Sequence, residues 1–205
     1  MVIADTSGSM FIGNARPGLS AVALAIYFAE HNTGPYHNLW MSFSGKSDIQ
    51  RLKGETLAQK LRNLDISAWG GSTNLEGALE KILKIAKDYH VSQDEMVKSL
   101  IIISDMEIDY CTCSNENYRS DWSFYGEMKY RYQIAGYKIP NIVFWNVNSR
   151  HDVFHVDKDR EGVQLCSGQA TSTFKAVIDS INLTPMQMMY KVLCDERYTC
   201  VEIDE

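Results

Sequence analysis

The chain has 205 residues, a formal net charge of −6 and 45% hydrophobic residues, which suits a globular protein with one buried core. Apolar runs stay well short of the roughly 18 residues of a membrane helix. The negative charge disfavours non-specific binding to nucleic acid, which depends on clustered Lys and Arg. We therefore expect neither a membrane span nor direct nucleic-acid binding.

The N-terminus and the cysteines favour an intracellular protein. Met1–Ala4 lacks the basic region of a signal or transit peptide. Five cysteines form an odd set, which favours reduced thiols over a disulfide framework. Cys111 and Cys113 are spaced C-x-C without a nearby His, which is only a weak zinc signal. Because the first strand begins so abruptly, we expect one domain over residues 1–205 that is part of a longer parent protein.

Short β-type runs alternate with longer helical runs in the first half of the chain, as in a parallel sheet covered by helices. The predicted elements there are a strand at Met1–Ala4, a helix at about Gly18–Glu30, strands at Leu39–Phe43 and Ile49–Leu52 joined by a turn at Ser44–Ser47, a polar helix at about Glu55–Asn63, and an amphipathic helix from Leu75.

The second half continues the alternation. Its predicted elements are a buried strand at Leu100–Ser104, a polar loop at Asp109–Asn117, an aromatic-rich helix within Tyr118–Tyr137, strands at Asn141–Trp145 and Gly162–Cys166, and two closing helices at about Thr173–Ile181 and Pro185–Asp195. This order predicts an α/β fold with a doubly wound, mostly parallel central sheet, helices on both faces and one short antiparallel edge strand.

The strongest chemical signal is the D-T-S-G-S motif at Asp5–Ser9, directly after the first strand. In doubly wound sheets, ligands bind beyond the carboxyl ends of the strands, where the strand order reverses. If the first strand and Leu100–Ser104 flank that point, Asp5 and Asp105 lie together with the hydroxyls of Ser7 and Ser9. Mg²⁺ prefers such oxygen ligands and takes one or two carboxylates, so we predict a Mg²⁺ site, with Mn²⁺ or Ca²⁺ as alternatives.

A distant loop, Trp69–Thr73, supplies a further hydroxyl ahead of the helix from Leu75, and Thr73 is the fifth predicted ligand. Gly8 and the pair Gly70–Gly71 give the two loops the freedom to fold tightly around an ion. The residues predicted to lie behind the ligands are Gly8, Ser72 and Glu107.

Each motif also has a purely structural interpretation. Asp5–Ser9 fits an Asx-turn and helix cap, and Thr73-x-x-Glu76 fits a capping box. We favour the metal site because the motifs occur in the right order on the right elements, and we expect Thr73 to cap the helix as well.

Asp5–Ser9, Thr73 and Asp105 resemble, in order, the three parts of the metal-ion-dependent adhesion site of von Willebrand factor A domains. The resemblance implies that Ser7, Ser9 and Thr73 bind the ion directly, and that Asp5 and Asp105 bind it directly or through water. It also implies a module that captures a protein ligand by an exposed Asp, Glu or C-terminal carboxylate.

The chain further resembles the C-terminal A-type domain of the DUF2828 family, found in large DNA viruses, phages, plants and fungi. The segments that carry this resemblance are Gly34-Pro35, Trp69–Asn74, Ser104–Met106, Gly136–Asn146 and Gly162–Gly168. A similar A domain closes the ring-shaped Ro proteins, whose helical repeats bind RNA. The resemblance favours a viral or phage origin, and longer DUF2828 proteins carry an upstream segment that is absent here.

Two other functions remain open. A metal-assisted phosphoesterase would need a base or nucleophile beside the ion, and Glu107 is the best candidate for it, although a surface loop residue is the simpler interpretation. A structural component of an RNA–protein particle, as in Ro proteins, is the third hypothesis. Lys and Arg are scattered rather than striped, which disfavours direct RNA binding by this chain. No His or Lys in the motifs is placed to take a proton from bound water, so we predict a binding module and not an enzyme.

Overall fold

The computed structural model describes residues 1–14, 16–43, 47–67, 69–70, 74–106, 124–148, 162–180 and 183–198. The chain divides into two compact units, Met1–Gln169 and Ala170–Glu205. Among the described residues, the first unit holds a six-stranded sheet and the second holds two α-helices. The expectation of one domain over residues 1–205 stays a prediction.

The sheet has the order β3-β2-β1-β4-β5-β6. Its neighbouring strands are parallel except for β3, which pairs antiparallel with β2 at one edge. The strands are β1 (Val2–Asp5), β2 (Leu39–Phe43), β3 (Asp48–Arg51), β4 (Ser99–Ser104), β5 (Asn141–Asn146) and β6 (Val163–Ser167). The predicted doubly wound sheet with one short antiparallel edge strand is confirmed.

Helices cover both faces of the sheet in the first unit. They are α1 (Pro17–His31), α2 (Leu57–Arg62), α3 (Leu75–Asp88) and α4 (Phe124–Ile134), with short 3-10 turns at Gly8–Phe11 and Gly34–Tyr36. Helix α1 packs against β1, β2 and β4, while α3 packs against β2 and α4. Because side chains of a strand alternate between faces, each central strand is buried from both sides.

The larger core lies between the sheet and the pair α3–α4. Helix α3 contributes a periodic apolar face, as its sequence predicts, and Tyr132 of α4 donates a hydrogen bond to the carbonyl of Leu79 at 2.9 Å. The core side chains shared by sheet and helices include Ile3, Phe43, Leu75, Leu79, Ile82, Ile102, Met128, Tyr132 and Phe144. The opposite face of the sheet buries Val2, Ala4, Trp40, Ile103 and Trp145.

The cap of α3 differs from its prediction. Asn74 is the N-cap, and its side-chain Oδ1 accepts a hydrogen bond from the Gly77 amide at 2.8 Å. Asparagine is among the best N-cap residues, and the helix therefore starts one residue later than a Thr73 cap requires. The expectation that Thr73 caps this helix was wrong, and Thr73 itself lies outside the described residues.

Other predicted bounds shift by a few residues. Strand β1 extends to Asp5, one residue further than predicted, and α1 runs from Pro17 to His31. Helix α4 begins at Phe124, while the predicted loop at Asp109–Asn117 lies outside the described residues. The extension of β1 matters most, because it makes Asp5 part of the sheet rather than of the loop after it.

The second unit contains helices α5 (Thr171–Ser180) and α6 (Pro185–Leu193). Thr184 and Gln187 form a capping box at the start of α6, which explains why that helix begins sharply at Pro185. The Lys191 ammonium lies 3.4 Å from a carboxylate oxygen of Asp179 and so links the two helices. Both helices were predicted from the sequence.

We expect the substitution Leu79→Ala to lower the free energy of unfolding by about 2–5 kcal/mol, because it leaves a cavity in the larger core. Leu79 is 0% exposed. The matched control is Leu61→Ala on α2, where the side chain is 47% exposed and the expected change is below about 0.5 kcal/mol. Urea titration followed by circular dichroism measures both, and equal effects of the two substitutions would contradict this assignment of the core.

Candidate metal centre

Two aspartates meet at the point where the strand order reverses. Strand β1 ends in Asp5, and it pairs in parallel with β4 so that Ala4 lies opposite Ile103. Asp105 directly follows β4, and the two side chains are 0% and 2% exposed. The juxtaposition of Asp5 and Asp105 that the sequence suggested is therefore present in the folded chain.

Hydrogen bonds from neighbouring groups hold the Asp5 carboxylate in one orientation. The Ser7 amide donates to Oδ1 at 2.8 Å, and the Ser104 hydroxyl donates to Oδ2 at 2.5 Å. The Ser104 Oγ in turn accepts from the Met106 amide at 3.0 Å. These contacts link the ends of β1 and β4 through side chains as well as through the sheet.

Sequence reasoning missed the role of Ser104. A polar residue at the end of the apolar run Leu100–Ile103 was the available signal, because a buried hydroxyl must find a partner. That partner, the carboxylate of Asp5, is 99 residues away in the chain, so only the strand order identifies it.

The environment of Asp5 opposes its negative charge. The pKa of Asp5 is raised to about 6, mainly by burial and to a smaller extent by the nearby charge of Asp105, while the hydrogen bonds from Ser104 and Ser7 act in the opposite direction. At neutral pH most Asp5 side chains are therefore charged, at a cost in stability. A cation in this crevice would offset that cost.

The hydroxyls of Ser7 and Ser9 complete one side of the crevice. Their Oγ atoms are 3.2 Å apart, and Ser7 is 3% exposed. Two adjacent oxygen ligands of an octahedral Mg²⁺ lie about 3 Å apart, given metal–oxygen bonds of about 2.1 Å, and slightly further apart around Ca²⁺. The spacing of the two hydroxyls therefore fits neighbouring positions around one hard divalent cation.

The donor set consists of oxygen atoms and differs from a site built from His or Cys ligands. Among the described residues, no group of three or more His, Cys, Asp or Glu side chains comes together to hold a metal. The crevice instead combines two carboxylates with seryl hydroxyls, and such all-oxygen ligands suit Mg²⁺, Mn²⁺ or Ca²⁺ rather than zinc.

The remaining predicted site residues divide into two groups. Thr73, Ser72 and Glu107 lie outside the described residues. Gly8 is exposed, and an added Cβ there would meet nothing within 4 Å, so its conformation does not demand glycine. Gly70 has a φ of +94°, a conformation that favours glycine, as predicted for the loop before Thr73.

The architecture is that of von Willebrand factor A domains. The VWA domain of SpRpn10 is 12% identical, with a TM-score of 0.50 over 92% of this chain and 95% of that domain. Proximal thread matrix protein 1 from the mussel byssus is 11% identical, with a TM-score of 0.54 over 89% of this chain and 46% of that protein. At such low identities the likeness establishes the fold.

The chain belongs to the family described as Domain of unknown function (DUF7788), whose match covers residues 1–198. It is also 32% identical over 192 residues to an uncharacterized protein of Acanthamoeba polyphaga mimivirus, covering 93% of this chain. The chain spans about a third of that viral protein, 32% of its length. The matching family is thus DUF7788, and the resemblance to DUF2828 stays a prediction.

No helix among the described residues is long and apolar enough to cross a membrane.

We expect Asp5→Asn to stabilise the metal-free protein at pH 7.5, because it removes a buried charge and keeps an oxygen acceptor for the Ser7 amide. The pKa of Asp5 is 3.8 in the unfolded chain and about 6 in the folded protein. The folded protein therefore loses stability as the pH rises through that interval. The cost is then fully present at pH 7.5 and amounts to about 3 kcal/mol. Urea titrations in chelator at pH 4 and pH 7.5 measure it.

The two proteins should converge in stability toward pH 4, where Asp5 is protonated in the wild type. Excess Mg²⁺ at pH 7.5 should stabilise the wild type and leave Asp5→Asn unchanged. A variant that is less stable than the wild type at pH 7.5 in chelator would show that burial does not disfavour the Asp5 charge.

Proposed function

We propose that this chain is a divalent-cation-dependent protein-binding module. Asp5, Ser7, Ser9 and Asp105 hold one cation, with Mg²⁺ the first choice, and Thr73 completes the set from the neighbouring loop. The partner is a protein that offers an exposed Asp, Glu or C-terminal carboxylate. The chain itself carries no catalytic group in this proposal.

The observation that supports the proposal best is the convergence of two buried carboxylates with two hydroxyls. Asp5 and Asp105 reach one crevice from neighbouring strands, and Ser7 and Ser9 present their Oγ atoms 3.2 Å apart. Burying two like charges together is unfavourable unless a positive group joins them. The Asp5–Ser9 segment therefore makes better sense as a cation site than as a turn alone.

Neutral hydroxyl ligands favour the binding of an external carboxylate to the cation. The two aspartates supply at most two negative charges, so a bound divalent cation retains the capacity to pair with an external carboxylate. Ser104 and the Ser7 amide orient Asp5 toward the site, which keeps this ligand from rotating away. Anion capture thus follows from the small number of charged ligands.

We also propose an intracellular location. Cys166 and Cys194 are free thiols among the described residues, whereas secreted domains usually carry disulfides. The similarity to a mimivirus protein supports a viral relationship.

Calorimetric titration with Mg²⁺ and Mn²⁺ tests the cation site. The wild type should bind one ion, and Asp5→Ala and Asp105→Ala should each abolish binding, because each removes a large share of the charge at the site. Ser9→Ala and Thr73→Ala should weaken binding by about tenfold. The matched control is Asp88→Ala at the exposed end of α3, which should bind as the wild type does.

Circular dichroism and thermal melts establish that each variant is folded before its affinity is compared. Folded Asp5→Ala and Asp105→Ala proteins that retain wild-type affinity would contradict the proposed site.

Capture of a carboxylate is tested with two immobilised peptide libraries that differ only in a central Glu or Gln. The protein should be retained on the Glu library in Mg²⁺, released by chelator, and not retained on the Gln library. Asp5→Asn should not be retained on either, because it lacks the charge that holds the cation. Equal retention on both libraries would contradict a role for the carboxylate.

The alternative function, a metal-assisted phosphoesterase, predicts catalytic turnover instead of carboxylate capture. His31 and His37 contact backbone carbonyls of Tyr27 and Asn32, so these two imidazoles are engaged elsewhere. We propose that the chain with Mn²⁺ does not turn over p-nitrophenyl phosphate or nucleotide substrates. Metal-dependent turnover that is lost in both Asp5→Ala and Glu107→Ala would favour a hydrolase instead.

A further inference from the structure

We infer that the stacked pair Phe11–Trp69 is a positioning device that fixes two loops of the candidate metal centre against each other. The serine loop is Thr6–Ile12, which carries Ser7 and Ser9. The glycine loop is Trp69–Thr73, of which Trp69 and Gly70 are described. The consequence for cation affinity rests on the proposed function, whereas the mechanical coupling of the loops does not.

Two contacts join the serine loop to the glycine loop. The rings of Phe11 and Trp69 stack with centroids 5.5 Å apart and an interplanar angle of 19°. The Gly70 amide donates a hydrogen bond to the Thr6 carbonyl at 2.7 Å. Trp69 and Gly70 stand only a few residues before Thr73, so these contacts set where the chain enters the segment that carries the fifth proposed ligand.

The start of helix α1 also lies close to the ring of Phe11. A Cβ added at Gly18 would lie 2.6 Å from two ring atoms of Phe11 and 3.0 Å from the Met10 carbonyl oxygen. The 2.6 Å distances are shorter than real Cβ contacts, so the ring would have to move to make room for a side chain at position 18. Phe11 thus lies close to both the start of α1 and Trp69.

The backbone amide of Trp69 donates a hydrogen bond to the Ile66 carbonyl at 3.1 Å. The buried indole Nε1 of Trp69 has no hydrogen-bond partner in the described part of the chain. A buried N–H without a partner costs about 1–3 kcal/mol, which a phenylalanine at this position would avoid. Trp69 therefore acts through the ring surface that stacks on Phe11.

The coupling should appear both in loop dynamics and in cation affinity. The variants are Phe11→Ala, Trp69→Ala, the double variant, and the conservative Trp69→Phe. The control is Tyr27→Ala, which removes another stacked ring pair, Tyr27 with His31, at an exposed position on α1. Mn²⁺ affinity is measured by calorimetry, and amide hydrogen exchange of the serine loop is measured in chelator.

We expect Phe11→Ala and Trp69→Ala each to weaken Mn²⁺ binding by about tenfold, as removal of supporting residues around a metal does. The double variant should be no weaker than either single variant by more than about twofold, because the two rings act as one unit. Trp69→Phe should restore affinity to within about twofold of the wild type. In chelator, Met10 and Ile12 amides should exchange faster in Trp69→Ala and not in Tyr27→Ala.

Leu79→Ala separates positioning from general stability, since it should destabilise the core and leave the affinity of the folded protein unchanged. Wild-type Mn²⁺ affinity in Trp69→Ala, or unchanged exchange of the Met10 and Ile12 amides, would overturn the inference. A wild type that binds no Mn²⁺ would refute the proposed function. Exchange in chelator would then still decide whether the stack couples the loops.

Discussion

Two carboxylates buried side by side are the constraint on which the rest of this site depends. Parallel pairing of β1 with β4 brings Asp5 and Asp105 to the same end of the sheet, where both residues are almost fully buried. Buried charges of one sign repel each other and lose hydration, so they persist only where function or a counter-charge compensates. A divalent cation is the counter-charge whose chemistry matches the neighbouring hydroxyls of Ser7 and Ser9.

The surrounding fold makes that arrangement rigid. Buried strands fix the backbone of Asp5, and Ser104 fixes its carboxylate through a hydrogen bond from the adjacent strand. Asn74 caps α3, so Thr73 lies just before the helix and is not needed to start it. The stacked rings of Phe11 and Trp69 then join the segment that carries Ser7 and Ser9 to Trp69. Strand order and aromatic contact thus both act near the proposed ligands.

Local patterns predicted the fold and the aspartate pair because each depends on few residues. The apolar run at Leu100–Ser104 predicted strand β4, and the helical spacing after Leu75 predicted helix α3. The reversal of strand order between β1 and β4 then brings Asp5 and Asp105 together. Contacts between distant segments were not predictable in this way. The bond from Ser104 to Asp5 and the stack of Phe11 on Trp69 depend on loop paths that no periodicity encodes, and Thr73 and Asn74 are both good cap residues.

Anomalous scattering from a crystal grown with Mn²⁺ would show directly whether Asp5 and Asp105 hold a cation. We expect one strong peak, within bonding distance of the Ser7 and Ser9 hydroxyls and facing the carboxylates of Asp5 and Asp105. Metal–oxygen distances of about 2.2 Å are expected there. A crystal of the folded protein with no peak in this crevice at saturating Mn²⁺, or with manganese bound only at other residues, would contradict a cation site between the two aspartates.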